Sequence, residues 1–196
     1  MEKRHWILGG FLALLLAAVA LIPLPSLAQG TSNIKMFVKV DGIPGESQDT
    51  LHRDWIEVLA VGDSILAPLT SPPPTVPYKA NFGPFKILKH IDRTSPKFRL
   101  TAAEGDHIKT IIIDCLRLEN DAWVRFLYVR LSDVTIAEVS ITPGVALSGF
   151  GGAEYPRELV AFSYRKIEFT YYYYRTPGGT PLQVNFSWDV PLNRRP

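Results

Sequence analysis

The sequence predicts an all-β fold, a sandwich or barrel of antiparallel strands with one short helix set against it. Three observations point there. From Lys35 onward, short runs of alternating apolar residues are separated by turn clusters at the spacing typical of sandwiches and barrels. Aromatic residues, Val and Ile are plentiful, while helix-forming stretches are scarce beyond residue 30, a bias that suits pleated, half-buried strands. The last hairpin carries the cleanest pattern. Ile167, Phe169, Tyr171 and Tyr173 alternate with Lys166, Glu168 and Thr170, and Val184, Phe186, Trp188 and Val190 alternate with Asn185, Ser187 and Asp189. Joined across Pro177-Gly178-Gly179, these two strands are the spine of a closed or nearly closed sheet.

The 196 residues suffice for one well-cored domain and an N-terminal appendage. Residues 1–28 read as a secretory signal: Lys3 and Arg4 form a basic start, Trp6 to Ile22 an apolar stretch, and Pro23 and Pro25 break the helix before Ser26-Leu27-Ala28. Small residues at Ser26 and Ala28 predict cleavage between Ala28 and Gln29. An uncleaved membrane anchor is the alternative, although the prolines leave the apolar stretch short of the roughly 20 residues a span needs. No cysteine follows the stretch, so it is not a lipoprotein signal. Residues 29–35 are then a linker, residues 36–196 a single domain, and the mature chain is secreted or periplasmic, free of the membrane after cleavage.

Met36, Val38 and Val40 share one face of a first strand, which stops at the turn residues Asp41-Gly42-Ile43-Pro44-Gly45. Ile56, Val58 and Ala60 mark a second strand, and Phe85, Ile87 and Ile91 a third. Residues 62–84 between them carry Pro68, Pro72, Pro73, Pro74 and Pro77, which cannot donate into a ladder, so the segment is expected to be a long extended loop and not a strand. The helix follows: Ser95 can cap it, Pro96 suits its first position, residues 97–104 carry only Thr101 as a β-branched residue, and Gly105 can end it. Three more strands are expected over 110–119, 123–129 and 134–141. The last changes apolar phase between Ile136 and Val139, as a bulged strand does. A Gly-rich loop spans 143–156.

The search for chemistry yields no catalytic, cofactor or metal site. The net charge is only +2, an excess equal to what Lys3 and Arg4 supply, and the body is near-neutral without the basic face that nucleic-acid binding needs. His52, His90 and His107 are well separated and read as surface or turn residues. Asp54 with Glu57 and Glu104 with Asp106 do not resemble an acid/base pair. Leu147-Ser148-Gly149-Phe150-Gly151-Gly152 lacks the first glycine of a nucleophile elbow and the Lys-Ser/Thr pair of a phosphate loop. The single cysteine, Cys115, falls on the Ile111 and Ile113 side of its strand and reads as a buried small hydrophobe. Alternation puts Tyr171 and Tyr173 inward and Tyr172 and Tyr174 outward, where an edge or subunit contact explains them as well as ligand stacking does. A neutral barrel without chemistry works by binding.

Met36-Phe37-Val38-Lys39-Val40-Asp41-Gly42-Ile43-Pro44-Gly45-Glu46-Ser47 resembles the opening strand and turn of the Hcp (haemolysin-coregulated protein) family, the tube proteins of type VI secretion. The similarity continues through Trp55-Ile56-Glu57-Val58-Leu59-Ala60, through Lys89-His90-Ile91-Asp92-Arg93-Thr94-Ser95-Pro96, and to Phe186-Ser187-Trp188-Asp189-Val190. Phe37, Gly42, Gly45, Glu46 and Trp188 are the structural residues of these motifs. The resemblance implies a β-barrel of two antiparallel sheets with one flanking helix, assembling edge to edge as hexameric rings that stack into a tube with effector cargo in the pore. It also implies that the loop over residues 62–84 reaches the neighbouring ring, with Pro73, Pro74, Tyr78 and Phe82 as its stacking residues. The prolines of that loop and the signal over residues 1–28 depart from the family pattern. Two alternatives to an exported ring protein follow: an ordinary tube and effector-carrier component whose true start lies near Ser32 to Met36, and a monomeric exported barrel that binds a ligand through Tyr172, Tyr174 and the Gly-rich loop.

Overall fold

A computed structural model describes residues 33–67, 79–142, 156–176 and 178–196. The expected signal with its Ala28/Gln29 cleavage site, the loop residues Pro73, Pro74 and Tyr78, and the Gly-rich loop up to residue 155 lie outside the described residues. The strands are β1 (Ile34–Val40), β2 (Ile56–Glu57), β3 (Ala60–Gly62), β4 (Ile65–Leu66), β5 (Asn81–Phe82), β6 (Phe85–His90), β7 (Ile108–Glu119), β8 (Ala122–Thr142), β9 (Arg157–Tyr173) and β10 (Leu182–Asp189), with the helix α1 (Ser95–Glu104) between β6 and β7. Eight strands form one curled antiparallel sheet in the order β2-β1-β7-β8-β9-β6-β3, with β10 beside β6 on the free edge of β9.

The two longest strands set the curl. In β8 the residues buried in the apolar cluster are Val129 and Leu131, then Val134; in β9 they are Val160 and Phe162, then Ile167. Alternation therefore slips by one residue in both strands at the same place, beside the Ser132↔Lys166 rung, where Asp133 adopts a positive φ of 52°. Register is kept while the sheet turns a corner, and one pair of strands supplies both walls. Inward rungs of the first wall run Val38–Ile113–Val129–Phe169–Phe186 and Val40–Ile111–Leu131–Ile167–Trp188 across five strands. The second wall runs Val139–Val160–Ile87–Val61. A single apolar cluster fills the space between.

Closure comes from two successive residues between β2 and β3. The Val58 N–H donates to the Met36 carbonyl on β1 (3.0 Å), and the Leu59 N–H donates to the Leu88 carbonyl on β6 (2.7 Å). What alternation reads as one second strand is thus split between both ends of the sheet. The expected strands over 123–129 and 134–141 are one continuous strand, β8, because the polar pair Ser132-Asp133 makes a corner and not a turn. A register shift between Ile136 and Glu138 marks the expected bulge, and a second falls between Cys115 and Leu116 of β7. Residues 62–84 are not wholly loop, since β4 and β5 pair as a short ribbon, Ile65↔Phe82 and Leu66↔Asn81. Ile91 lies past the end of β6 and is exposed.

Helix α1 starts one residue earlier than its capping signal suggests. Thr94 is the N-cap and makes no side-chain cap, while Gly105 ends the helix in the left-handed conformation at φ 71°. The Ser95 hydroxyl instead accepts from Lys89 Nζ (3.0 Å) and from the Asp92 N–H (3.2 Å). Phe98 is fully buried, edge-on to Phe162 with centroids 6.0 Å apart. Beneath the helix, Lys89 and Glu158 are fully buried and paired at 3.2 Å, with Asp92 2.9 Å from Lys89 and Arg99 bonded to Glu158. Burying these charges is tolerable because each meets its opposite. Since Phe98 is the only large buried side chain of the helix, Phe98→Ala is expected to cost about 3–5 kcal/mol. Exposed Lys97→Ala should change stability by less than about 0.5 kcal/mol; urea unfolding of both variants checks the contrast.

Candidate assembly surface

The outer face of the first wall carries a folded-over segment, residues 43–55, built on the glycines of the opening turn. Gly42 has φ 78°, a conformation that side chains disfavour, and it turns the chain back so that the Ile43 N–H donates to the Val40 carbonyl (3.1 Å). Gly45 passes so close to the Trp55 carbonyl that a Cβ there would overlap it. Glu46 accepts from the Arg93 N–H through Oε1 (2.8 Å), and the Arg93 guanidinium donates to the Pro44 and Gly45 carbonyls. The opening turn is thereby clipped to the β6–α1 connection, 47 residues further along the chain.

His52 is the centre of this segment and is buried, which corrects its reading as a surface or turn residue. Its Nδ1 lies 3.1 Å from Asp49 Oδ1 and its Nε2 2.9 Å from Asp114 Oδ2. Phe37 stacks on the ring at 4.2 Å and 2°, and Trp55 meets it edge-on at 4.8 Å. Arg125 grips Asp114 with two bonds, Nε to Oδ1 (2.8 Å) and Nη2 to Oδ2 (2.6 Å). This bidentate pair holds the guanidinium above its ordinary pKa against the opposing effect of burial. An aspartate–histidine–aspartate row could suggest proton relay, but among the described residues no nucleophile faces it: the nearby Ser47 hydroxyl donates to Glu57 (2.9 Å). With both carboxylates taken up by Lys35 and Arg125, the row is a clasp that pins residues 47–55 to the wall. His90 and His107 are exposed, and no group of three metal-ligating side chains occurs among the described residues.

The opposite end of the first wall is open. Among the described residues no strand but β9 pairs with β10, in unbroken register from Leu182↔Tyr173 to Asp189↔Lys166, and Asp189 at its end exchanges two hydrogen bonds with Arg194 on the other side (2.9 and 3.4 Å). Rungs on its inward face leave the core progressively: Trp188 is half-buried, Phe186 is 38 % exposed, and Val184 is 59 % exposed. Tyr171, expected inward, is 40 % exposed because the second wall does not reach its rung. Tyr172 and Tyr174, expected outward, are half-buried around Arg125: its guanidinium lies 5.8 Å from the Tyr172 ring, and the Tyr174 hydroxyl donates to its carbonyl (3.3 Å). Trp188 stacks with Phe186 at 6.4 Å and with Phe82 of the ribbon at 6.2 Å, which seats the stem of the long loop against β10.

Residues 37–171 match the family model described as type VI secretion system effector, Hcp. The chain belongs to the Hcp family. Protein hcp1 of Pseudomonas aeruginosa is 24% identical over 165 residues, covering 82% of this chain and 97% of the relative. Hcp1 from Salmonella typhimurium has the same fold, with a TM-score of 0.63 at 24% identity over 83% of this chain and 99% of the other. A type VI secretion system effector from Yersinia pestis superposes with a TM-score of 0.59 at 27% identity, over 79% and 99% of the two chains. The matched region of this Hcp chain includes Phe37, Gly42, Gly45 and Glu46 of the clipped turn and stops short of β10 and Trp188.

Sequence reasoning places the glycines of this Hcp turn and misses the clasp, since Asp114 lies 62 residues from His52 and only the folded ladder brings them together. The clasp carries an acid-sensitive group. Burial opposes ionisation of Asp49, but hydrogen bonds from His52, the Leu51 N–H and Lys35 outweigh it and hold the carboxyl at about 2, below its ordinary 3.8. A carboxyl lowered on folding stabilises the fold above its unfolded value and loses that contribution as pH falls through its folded value. Relative to Asp49→Asn, the parent should therefore gain its stability advantage above about pH 4 and lose it toward pH 2. Urea midpoints of the two proteins at pH 5, 3 and 2 check this, and a constant difference contradicts it.

Proposed function

We propose that this Hcp-family chain is a non-enzymatic building block of a type VI secretion system, assembling into hexameric rings that stack into a tube around effector cargo. The observation that carries the reading is the family match over residues 37–171 on a fold whose described polar clusters hold the structure together. Edge-to-edge association gives the open end of the first wall something to cover it. The loop over residues 62–84, with Pro73, Pro74, Tyr78 and Phe82, makes the ring-to-ring contact; its stem is braced on Trp188 through Phe82. Residues 1–28 route the chain through the general secretory pathway, with cleavage between Ala28 and Gln29, so that rings form in the periplasm or outside the cell.

Negative-stain electron microscopy of the chain from Gln29 at several concentrations, with the first residue of secreted material read by Edman degradation, tests the reading. Rings and a start at Gln29 are expected. Rings with no processed Gln29 terminus would leave an ordinary tube component and sink the export route; monomers at every concentration would leave a borrowed fold that binds a ligand. Deleting residues 70–76 should leave folded rings that no longer stack, and tubes surviving that deletion would remove the loop from the stacking contact.

A further inference from the structure

The outer face of the first wall carries a second feature beside the His52 clasp. Between Cys115↔Leu127 and Leu116↔Arg125 the ladder gives β8 one extra residue, Phe126. In an unbroken register Arg125 would share the inward face with Leu127; the extra residue turns it outward, opposite Leu116. Trp123, two residues nearer the hairpin, shares that outer face, and Trp55 reaches it from the end of the folded-over segment. The two indoles line a cleft of about 380 Å³ together with Leu116, Asp114 and Arg125, and Leu51 adds an apolar side chain to the lining. Trp123 is 37 % exposed and Leu51 80 %. Large apolar side chains left in solvent around a concave site, with polar groups among them, mark a surface that binds.

We propose that this cleft binds a neutral saccharide, with Trp55 and Trp123 packing on the sugar ring and Arg125 donating to its hydroxyl oxygens. The proposal goes beyond ring assembly and does not depend on it. Charge around the cleft is already balanced. Asp114 accepts two bonds from the Arg125 guanidinium and lies 2.9 Å from His52 Nε2, and Lys35, 4.6 Å over the Trp123 ring, is paired with Asp49 at 3.2 Å. A charged ligand would have to compete with one of these pairs, whereas an uncharged one leaves them intact. The Arg125 side chain is 42 % exposed although its carboxylate partner is buried, so the guanidinium reaches from the clasp into the cleft as a donor. A sugar matches both halves of such a lining: its weakly positive C–H face packs on the negative face of an indole, and its hydroxyls accept from the guanidinium. Trp55 is held in place beforehand, edge-on to the buried His52 ring at 4.8 Å, so its ordering is not charged to binding. About 380 Å³ lies at the small end of ligand sites, which suits a short oligosaccharide and not a strand or helix of a protein partner.

The test uses the chain from Gln29, which holds every element of the fold and keeps Trp55, Trp123 and Trp188. Fluorotryptophan labelling and fluorine NMR follow the three indoles during separate titrations with cellotriose, maltotriose and chitotriose. At least one of these sugars should shift the Trp55 and Trp123 signals with a midpoint of about 1 mM or tighter, while Trp188, on the inward face of β10, stays unmoved. Trp123→Ala should weaken binding of that sugar about tenfold or more, Trp123→Phe should lose less, and Leu100→Ala on the exposed side of α1 should bind as the parent does. Urea midpoints near the parent's show that the Trp123 variants keep the fold. Both cleft indoles unmoved by all three sugars at about 10 mM would overturn the proposal. So would a sugar that binds Trp123→Ala as tightly as the parent, or one that shifts Trp188 alone. Indole signals that respond to protein concentration and not to sugar would overturn it in favour of a contact between copies. Sugar binding by a chain that never forms rings would uphold the cleft while removing the ring reading.

Discussion

The long ladder between β8 and β9 is the constraint on which everything else depends. Each strand belongs to both walls, and each crosses from one to the other beside Ser132↔Lys166, where Asp133 takes a left-handed conformation. Had only one strand slipped its alternation there, its remaining inward residues would have turned to solvent, since a one-residue slip exchanges the faces. Because both slip together, Val134 and Phe162 face the same interior as Leu131 and Ile167. The corner leaves β9 an edge long enough to carry β6 on one stretch and β10 on the next. Closure through Val58 and Leu59 and the open flank at β10 both follow from that division.

Polar contacts act on this frame as clips between elements that apolar packing alone would leave loose. Glu46 and Arg93 tie the opening turn to the start of α1, the His52 clasp ties residues 47–55 to β7 and β8, and the Lys89–Glu158 pair ties β6 to β9 beneath the helix. Each clip joins segments distant in sequence, and the two centred on His52–Asp114 and Lys89–Glu158 would leave a buried charge or donor stranded if one partner were lost. They favour one arrangement of the loops over others at little net gain in stability.

How much was legible in the sequence follows from how local each signal is. Strand existence, the inward side of Cys115, the bulge after Ile136 and the Gly105 terminus are set by neighbours within a few residues, and they read correctly. Cys115 is buried, and burial pushes its thiol up to about 12, as befits an inert core residue. The corner at Ser132-Asp133 misled because two polar residues between apolar runs look like a turn, and only the matching slip in β9 shows otherwise. His52 misled for a different reason: its partners are fixed by the β1–β7 pairing and the folded-over segment, which no local pattern encodes. Tyr171 obeys alternation in direction but not in burial, since inward residues are covered only where a second wall stands opposite.

The open flank links the fold to its use. The sheet finishes its core at one end and leaves, among the described residues, a strand with no charge before Asp189 at the other, and the ring assembly proposed for this member of the Hcp family would cover that flank. Native mass spectrometry of the chain from Gln29 tests that claim most directly, because it counts subunits. A discrete species of six subunits, with monomer as its only major companion on dilution, is the predicted result. Monomer alone at every concentration, with the fold intact, would contradict it.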